Sequence, residues 1–434
     1  MLLYMPLKHT RDRASKWLYM MLPYEIAYGP ISNLIILYIL DLHGTVISAS
    51  YAVTLSNAMW ICASIFWGRM IESYNKRKVF IAVSFLGLSL SLIGLFLVKS
   101  VVGAIIIYGM LTFLVIANSM PLNMLIMETN PKDRWGNGFS RLQMLSTVGI
   151  VFGYVLTSFL SGILPTSYVI LMLAPFAIIA LAFMPFIQEP QSTFPRISIL
   201  DSILAFKSRL QSNPILFLKG RSTAFRQKGM RSLLPAKPSF FKNGDQMNLL
   251  YAGTFVFFIG TTIFNTAYPA GLRAQGFNNS EVLAVLLVGN IVQAIMFYES
   301  GMIMAKRQKS SVASTSLVFR GLGYILVAIS FALLTGIGLL GLNVVLYAIA
   351  AGMAYALFYA TFNTMVFEAV GTEKRSTKLG IYSGFVGFGA LVGALLAGYL
   401  SYYIGYWFAF SVAGVLILCT ALIISRGAKD QRSA

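Results

Sequence analysis

Residues 57–78 read NAMWICASIFWGRMIESYNKRK, and the rest of the chain is organised around this stretch. An apolar run ends at Gly68, Glu72 follows four residues later, and the basic turn 76–78 precedes the next apolar run. This order is typical of a helix that leaves a membrane on its positively charged side.

The same pattern occurs again in the second half of the chain. Asn57 precedes Gly68 by eleven residues, and Asn290 precedes Gly301 by eleven residues, again before a basic turn. Further pairs are separated by 240 residues: NMLIME at 123–128 with NTMVFE at 363–368, Gly149 with Gly389, and Gly153 with Gly393. Matches in the same order at near-constant offsets indicate two related halves.

The composition predicts a membrane protein with many crossings. The chain has 434 residues, of which 57% are hydrophobic and 11% charged, and its mean hydropathy is +0.75. About 20 apolar residues are needed to cross a bilayer as a helix. Twelve such runs occur, at 17–41, 47–68, 79–98, 101–127, 139–162, 166–187, 248–272, 281–304, 312–335, 339–367, 378–400 and 404–425.

The basic residues predict the orientation of these spans. Of 33 Lys and Arg, only Lys99 and Arg273 fall in loops after odd-numbered spans. The net charge of +19 therefore follows the positive-inside rule and does not indicate nucleic-acid binding. We expect a multi-pass plasma-membrane protein with both termini and the central segment in the cytoplasm.

The predicted fold class is an all-α membrane protein with two six-helix bundles, at 1–187 and 248–434. The linker 188–247 contains ten basic residues and three acidic ones. Within it, apolar residues between Ile197 and Leu210 recur at helical spacing, which predicts an amphipathic helix on the anionic leaflet. A plain tether between the bundles is the alternative.

Metal, cofactor and enzyme chemistry find no support in the sequence. Cys62 and Cys419 lie inside predicted spans, where buried thiols are ordinary packing residues. His9 and His43 lie outside the spans, and no paired carboxylates or nucleotide motif occur within them. We expect no disulfide, metal or cofactor. The sequon at Asn278 predicts either glycosylation or, through Asn279 or Ser280, a cap of the eighth span.

The stretch after the second span resembles the signature of the major facilitator superfamily. That signature reads Gly, three residues, Asp, Arg, one residue, Gly and a basic run. The matching positions here are Gly68, Glu72, Ser73, Asn75, Lys76, Arg77 and Lys78. Glu replaces Asp, Ser replaces Arg, and Asn replaces the second Gly. The resemblance extends over the whole chain through span count, repeat and central basic loop.

The resemblance implies a cytoplasmic gate in which Glu72 meets the start of the eleventh span, near Thr377. A carboxylate near a helix N-terminus gains about 0.3–1 kcal/mol. In the second half of the repeat, Ala305 occupies the position equivalent to Glu72, so we expect the equivalent gate contact to be degenerate there. The predicted gate residues are Gly68, Glu72, Lys76, Arg77, Lys78, Glu128, Arg134 and Glu368. The subfamily is not assigned, because antiporter, drug-exporter and sugar-porter signatures do not match.

Glu25 is the predicted coupling residue. An ionisable residue inside a span usually faces a cavity or a partner. Tyr28, Gly29, Ser32 and Asn33 share its helix face. Because a low dielectric favours the neutral form of a carboxyl group, Glu25 is expected to load and release a proton. The alternative is a fixed ion pair between Glu25 and Arg141.

In the family fold the first, fourth, seventh and tenth spans line a central cavity, and polar residues on them are the predicted substrate contacts. These residues are Tyr28, Ser32, Asn33, Asn118, Thr261, Asn265, Tyr268, Tyr355, Tyr359 and Asn363. The lining suits a neutral, cationic or amphipathic solute better than a multivalent anion.

Other polar residues of the spans are expected to have structural roles. Arg141 is predicted to reach the cytoplasm or pair, with contact to an anionic substrate as the alternative. Glu299 and Arg320 are predicted to pair with each other. Asn57 and Asn290 are expected to bond neighbouring helices. The repeated glycines predict close helix contacts, either at a moving interface or in static packing.

These features predict a secondary transporter that moves a small organic solute by alternating access, coupled to protons. The aromatic and Met content favours export of hydrophobic or drug-like compounds, and a nutrient importer is the alternative. A transport-dead receptor or scaffold on the same fold is the alternative of another class. The expected partners are the solute, membrane lipids and protons, without nucleic acid, and the expected state is a monomer.

Overall fold

The computed structural model describes residues 16–74, 76–129, 135–187, 246–370 and 375–433. Within these ranges the chain is almost entirely helical and forms no strand. Eleven of the described helices are long and apolar enough to cross a membrane. The remaining predicted crossing, the first span, is built from shorter helical pieces. The linker 188–247 and its predicted amphipathic helix lie outside the described residues, apart from the last two positions.

The first half contains six spans. The first span comprises Trp17–Met20, Met21–Tyr28 and Ile31–Asp41. The second and third are Val46–Ser73 and Arg77–Leu97, and the fourth comprises Val101–Val115, Ile116–Asn118 and Ser119–Thr129. The fifth is Trp135–Ser161, and the sixth is Thr166–Leu181 followed by Met184–Phe186.

The second half repeats this order. The seventh, eighth and ninth spans are Gln246–Ala274, Asn279–Lys306 and Lys309–Leu333. The tenth comprises Gly336–Tyr347, the π-helical segment Ala348–Met353 and Ala354–Val370. The eleventh and twelfth are Arg375–Tyr403 and Tyr406–Ser433.

We name the two ends of the molecule by their loops. The basic face is the end at which the second span stops and the third begins, around Lys76. The distal face is the end at which the first span stops and the second begins, around Asp41. The second helix continues past Gly68 to Ser73, so the backbone of Glu72 belongs to its last turn.

The first span is interrupted at Gly29 and Pro30. Proline has no N–H, so the hydrogen bond to Ile26 O is lost. The helix resumes because Leu34 N donates to Pro30 O at 2.9 Å. A Cβ at Gly153 of the fifth span would lie only 2.7 Å from Ile26 O. Gly153 therefore allows the fifth span to pack directly against the break.

The repeated glycines make equivalent contacts inside each half. A Cβ at Gly149 would lie 2.7 Å from Leu22 O, and one at Gly389 would lie 2.8 Å from Phe255 O. These glycines hold the fifth span on the first and the eleventh on the seventh. These contacts fit static packing within a bundle rather than a moving interface. Gly398 differs, because it faces Ser50 of the opposite half.

Large apolar side chains lie exposed on the outside of the helices. Leu90, Phe159 and Ile337 are 67%, 68% and 89% exposed, far from the usual burial of such residues. An apolar exterior of this extent matches a surface that faces lipid rather than water. The helical lengths and this surface identify a multi-pass membrane protein.

Candidate functional site

A cavity of about 400 Å³ lies between the two halves. Both halves supply its lining, which consists mainly of amide, hydroxyl and aromatic side chains. The lining includes Tyr28, Ser32, Asn33, Ser56, Asn57, Trp60, Tyr108, Thr112 and Tyr154 from the first half. From the second half it includes Thr262, Asn265, Thr266, Tyr268, Pro269, Asn290, Gln293, Arg320, Tyr347 and Tyr355.

Six of the ten predicted substrate residues lie in this lining. On the first span, Tyr28, Ser32 and Asn33 face the cavity as their spacing predicts. Asn33 Nδ2 also donates to Tyr154 Oη at 2.5 Å, which fixes the first span against the fifth. The other three are Asn265, Tyr268 and Tyr355.

The remaining four predicted residues lie outside the lining. Asn118 is buried in the short turn Ile116–Asn118, and its Nδ2 has no hydrogen-bond partner. Tyr359 stacks on Tyr355, with ring centroids 5.4 Å apart. Asn363 Oδ1 accepts a hydrogen bond from Tyr382 Oη at 3.3 Å.

On the seventh span, the predicted residue Thr261 lies outside the cavity lining. The cavity face of this span includes Tyr268 and the residues Thr262, Asn265, Thr266 and Pro269, which recur at i, i+3, i+4 and i+7. Thr261 lies one residue off this face and is 94% buried, so it points into its own bundle. Asn265 and Tyr268 of the same predicted set do line the cavity, so only Thr261 departs from the observed face.

Glu25 lies beside the cavity rather than in its lining. Glu25 lies one helical turn before Tyr28. A Cβ added to Gly149 would lie 2.8 Å from the Cβ of Glu25. The side chain is half-buried. In the described part of the chain Glu25 forms no ion pair, and Arg141, the alternative partner, is exposed.

Asn57 and Asn290 both line the cavity, and Asn57 also bonds a neighbouring helix as the sequence predicts. They occupy equivalent positions of the repeat, and Trp60 and Gln293 follow three residues later in each half. Asn57 Nδ2 donates to Ala390 O at 3.4 Å, and Asn290 Nδ2 donates to Leu286 O of its own helix. The repeat itself was the signal that could have identified them.

The sequence predicts that Arg320 pairs with Glu299, and the structure shows a different contact. The described side chains show no ion pair between Arg320 and Glu299. Instead Arg320 Nη1 donates to Ala350 O at 3.2 Å, within the π-helical segment of the tenth span. The Arg320 side chain therefore reaches the cavity from the ninth span.

The distal face of the cavity is closed by polar contacts between the halves. Asp41 accepts hydrogen bonds from Thr166 Oγ1 at 2.5 Å and from Asn279 Nδ2 at 2.8 Å. Arg273 Nη2 lies 3.3 Å from Asp41 Oδ1. We call these four residues the distal gate. Asn278 caps the eighth span in a capping box with Glu281, which leaves Asn279 for this gate.

Two further contacts close the same face. Tyr51 and Tyr399 join their hydroxyl groups across the halves at 2.7 Å. Ser158 Oγ donates to Ser280 O at 3.1 Å, and Ser280 Oγ donates back to Ser158 O at 2.6 Å. At the distal face, the second span is therefore joined to the eleventh, and the fifth span is joined to the eighth.

The same helices separate toward the basic face. A Cβ at Gly387 of the eleventh span would lie 2.7 Å from Ile61 of the second. Gly68 lies two turns beyond Ile61, and Gly384 and Gly380 lie on the Gly387 face toward the same end. At each of these three glycines, nothing lies within 4 Å of an added Cβ. Among the described residues, the second and eleventh spans therefore lose their close contact toward the basic face.

Those predicted gate residues whose backbone the structure describes lie toward the basic face. Lys76 is exposed, Arg77 is buried and Lys78 is half-buried. The structure does not describe Arg134 or the side chains of Glu72, Glu128, Glu368 and Thr377, so the predicted latch lies outside the described groups. No cluster of metal-ligating side chains occurs among the residues that the structure describes.

Comparison with known proteins identifies the fold. A family model for the Major Facilitator Superfamily matches residues 20–309 and 250–433. A search of curated proteins finds no match.

Solved structures of low sequence identity share the fold over nearly the whole chain. The nucleoside transporter NupG is 13% identical with a TM-score of 0.66, covering 98% of this chain and 99% of that one. A proton-dependent oligopeptide transporter is 14% identical with a TM-score of 0.69, covering 98% and 100%. The E. coli xylose transporter XylE in its inward-open conformation is 13% identical with a TM-score of 0.64, covering 96% and 95%.

The family model spans both halves, and the matched structures are transporters over their full length. The chain is therefore a multi-pass membrane transporter and not an enzyme, and it belongs to the Major Facilitator Superfamily.

Proposed function

We propose that this protein is a secondary active transporter that moves a small organic solute across the plasma membrane by alternating access. The observation that carries this proposal is the polar cavity between two repeat-related halves, which are joined across the distal face and lose close contact toward the basic face. With the basic loops and both termini in the cytoplasm, this conformation is inward-open.

The cavity supports a small organic solute as the substrate. A volume of about 400 Å³ falls within the range of small-molecule pockets. Its lining offers amide and hydroxyl groups for hydrogen bonds and aromatic rings for stacking. We assign solute contact to Asn33, Asn57, Asn265, Asn290 and Tyr355 in particular.

Proton coupling is assigned to Glu25. Its carboxyl group lies one turn from the cavity residue Tyr28, and no cation neutralises it among the described side chains. A proton on Glu25 would change the charge beside the solute, which links protonation to binding. One of the structurally similar proteins is a proton-dependent oligopeptide transporter, which is compatible with this role.

Export of hydrophobic or drug-like compounds is our preferred direction, because Trp60, Tyr108, Tyr154, Tyr347 and Tyr355 give the cavity an aromatic lining. Import of a nutrient is the alternative, favoured by the three lining asparagines of the second, seventh and eighth spans. We treat the monomer as the functional unit, since each chain contains a complete cavity.

Reconstitution tests this function. Purified protein in liposomes should exchange a labelled solute for the same unlabelled solute, and a pH gradient should drive its net movement. A protein that binds a solute but never exchanges it would instead be a receptor built on this fold.

A further inference from the structure

We propose that Arg320 is an anion-binding residue of the central cavity and that the transported solute carries a carboxylate group. Transport of this solute rests on the proposed function, but the anion site itself is a property of the cavity. The carboxylate gives the solute a negative charge, whereas the predicted lining favours a neutral, cationic or amphipathic solute.

Arg320 combines deep burial with unused hydrogen-bonding capacity. It is 1% exposed and contributes to the cavity lining. A guanidinium group carries five N–H donors. Here Nη1 donates to Ala350 O at 3.2 Å, while Nε is buried without any hydrogen-bond partner. A buried donor without a partner is destabilising unless a ligand supplies the acceptor.

No carboxylate of the described side chains neutralises Arg320. Asp41 belongs to the distal gate, and Glu281 caps its own helix. Glu25 and Glu299 form no ion pair with it. Because an uncompensated buried charge is costly, an anion that enters the cavity gains strongly from meeting this group.

Aromatic rings hold the guanidinium group in place. Its Cζ lies 4.7 Å from the Tyr355 ring centroid, 5.1 Å from that of Tyr324 and 5.6 Å from that of Phe257. These cation–π contacts stabilise the charge without neutralising it. The π-helical segment of the tenth span adds the Ala350 carbonyl, and such segments often occur at functional sites.

A carboxylate fits this site better than a phosphate. Arg320 is the only Lys or Arg in the cavity lining of the described chain, so the site offers one positive charge. A planar carboxylate can accept two parallel hydrogen bonds from a guanidinium edge. The rest of the lining is neutral and partly aromatic, which suits an organic monoacid with an apolar body.

The test compares solutes that differ only in their head group. The full-length protein in detergent is titrated with 3-phenylpropanoate, 3-phenylpropanamide and 3-phenylpropylamine, and with the same three head groups on hexyl and naphthyl bodies. Thermal shift and calorimetry report binding. We expect at least one acid to bind tenfold or more tightly than its amide and its amine.

Variants then assign this preference to one residue. Arg320→Gln should remove the preference for acid over amide, and Arg320→Lys should retain part of it. Arg307→Gln removes an exposed arginine outside the cavity and should keep the wild-type preference. If Arg320→Gln does not fold, Arg320→Lys tests the residue, and the head-group comparison on the wild-type protein still decides whether the cavity prefers a carboxylate.

Two results would overturn the inference. One is a wild-type protein that binds no acid in preference to its amide across the three bodies. The other is an acid preference that survives in Arg320→Gln. A separate flux assay in liposomes tests transport, so acid-selective binding without flux would refute the proposed function and leave the anion site standing.

Discussion

Single residues decide how the cavity could couple a solute to protons. Glu25 lies beside the lining, one turn from Tyr28, in a helix that is broken at Pro30. A carboxyl group gains and loses a proton, whereas an amide of the same shape does not. The pH dependence of transport should therefore reside in this one side chain.

In Glu25→Gln we expect solute exchange to continue and net transport to lose its response to a pH gradient. Flux in liposomes at several pH gradients measures this. Glu299→Gln is the matched control, because Glu299 is also a half-buried carboxylate of a span but lies outside the lining. An unchanged response to pH in Glu25→Gln would refute the coupling role.

The seventh span offers a test of which helix face meets the solute. Asn265→Ala should weaken solute binding about tenfold, since one or two hydrogen bonds are lost. Thr261→Val should leave binding unchanged and preserve stability, because the Thr261 hydroxyl is buried without a partner. Calorimetry and thermal unfolding measure both. Equal loss of binding in the two variants would contradict the assigned face.

Some site residues were predictable and others were not, for physical reasons. Tyr28, Ser32 and Asn33 stand out because polar groups at helical spacing interrupt an apolar span. Arg320 could not be assigned to the cavity, since its depth alone does not show which way an arginine turns. The π-helical segment that supplies Ala350 O has no sequence signature, and it decides where Arg320 binds.

At the scale of helices, glycines separate fixed contacts from moving ones. Gly153 lets the fifth span touch the carbonyl of Ile26, whereas Gly384 of the eleventh span faces open space. The first contact belongs within a bundle, and the second position becomes crowded only if the basic face closes.

Gly153→Ala should lower stability by about 1–3 kcal/mol, because an added methyl group has no room. Gly384→Ala should keep or raise stability, since alanine favours a helix by up to about 1 kcal/mol over glycine. Thermal unfolding of both purified variants measures the contrast. Destabilisation by Gly384→Ala as large as that of Gly153→Ala would contradict the open basic face.

The distal gate is the element that holds this conformation closed. Arg273 is partly exposed, so its ion pair with Asp41 contributes at most about 1 kcal/mol. Asp41→Asn should therefore shift the population toward the outward-open state by a few-fold. In a protein with Cys62 and Cys419 replaced by alanine, labelling of Ser32→Cys in the cavity by a membrane-impermeant thiol reagent added at the distal side reports that state.

Glu281→Gln is the control for the gate, because Glu281 is acidic and distal but contacts only its own helix cap. In Glu281→Gln, the introduced cysteine should react with the thiol reagent as slowly as it does with the wild-type gate. If Asp41→Asn labels no faster than this control, the distal gate does not restrain opening.

At the scale of the whole molecule, the sequence predicted the architecture and not its conformation. Twelve apolar runs, the repeat and the distribution of basic residues were enough for the two bundles. The distal gate joins Asp41, Thr166, Arg273 and Asn279 from four separate helix ends, and no local pattern links them. Which face is closed therefore followed only from the contacts.

The measurement that tests alternating access most directly is efflux through a gate that can be locked. In a protein with Cys62 and Cys419 replaced by alanine, Ser158→Cys and Ser280→Cys are joined by a short reducible cross-linker. Liposomes are loaded with sugars, amino acids, nucleosides and organic acids, and efflux is followed by mass spectrometry.

We predict that at least one component leaves the liposomes only when the protein is present, that cross-linking stops this efflux, and that reduction restores it. Efflux that continues through the cross-linked protein, or no protein-dependent efflux of any component, would contradict alternating access by this molecule.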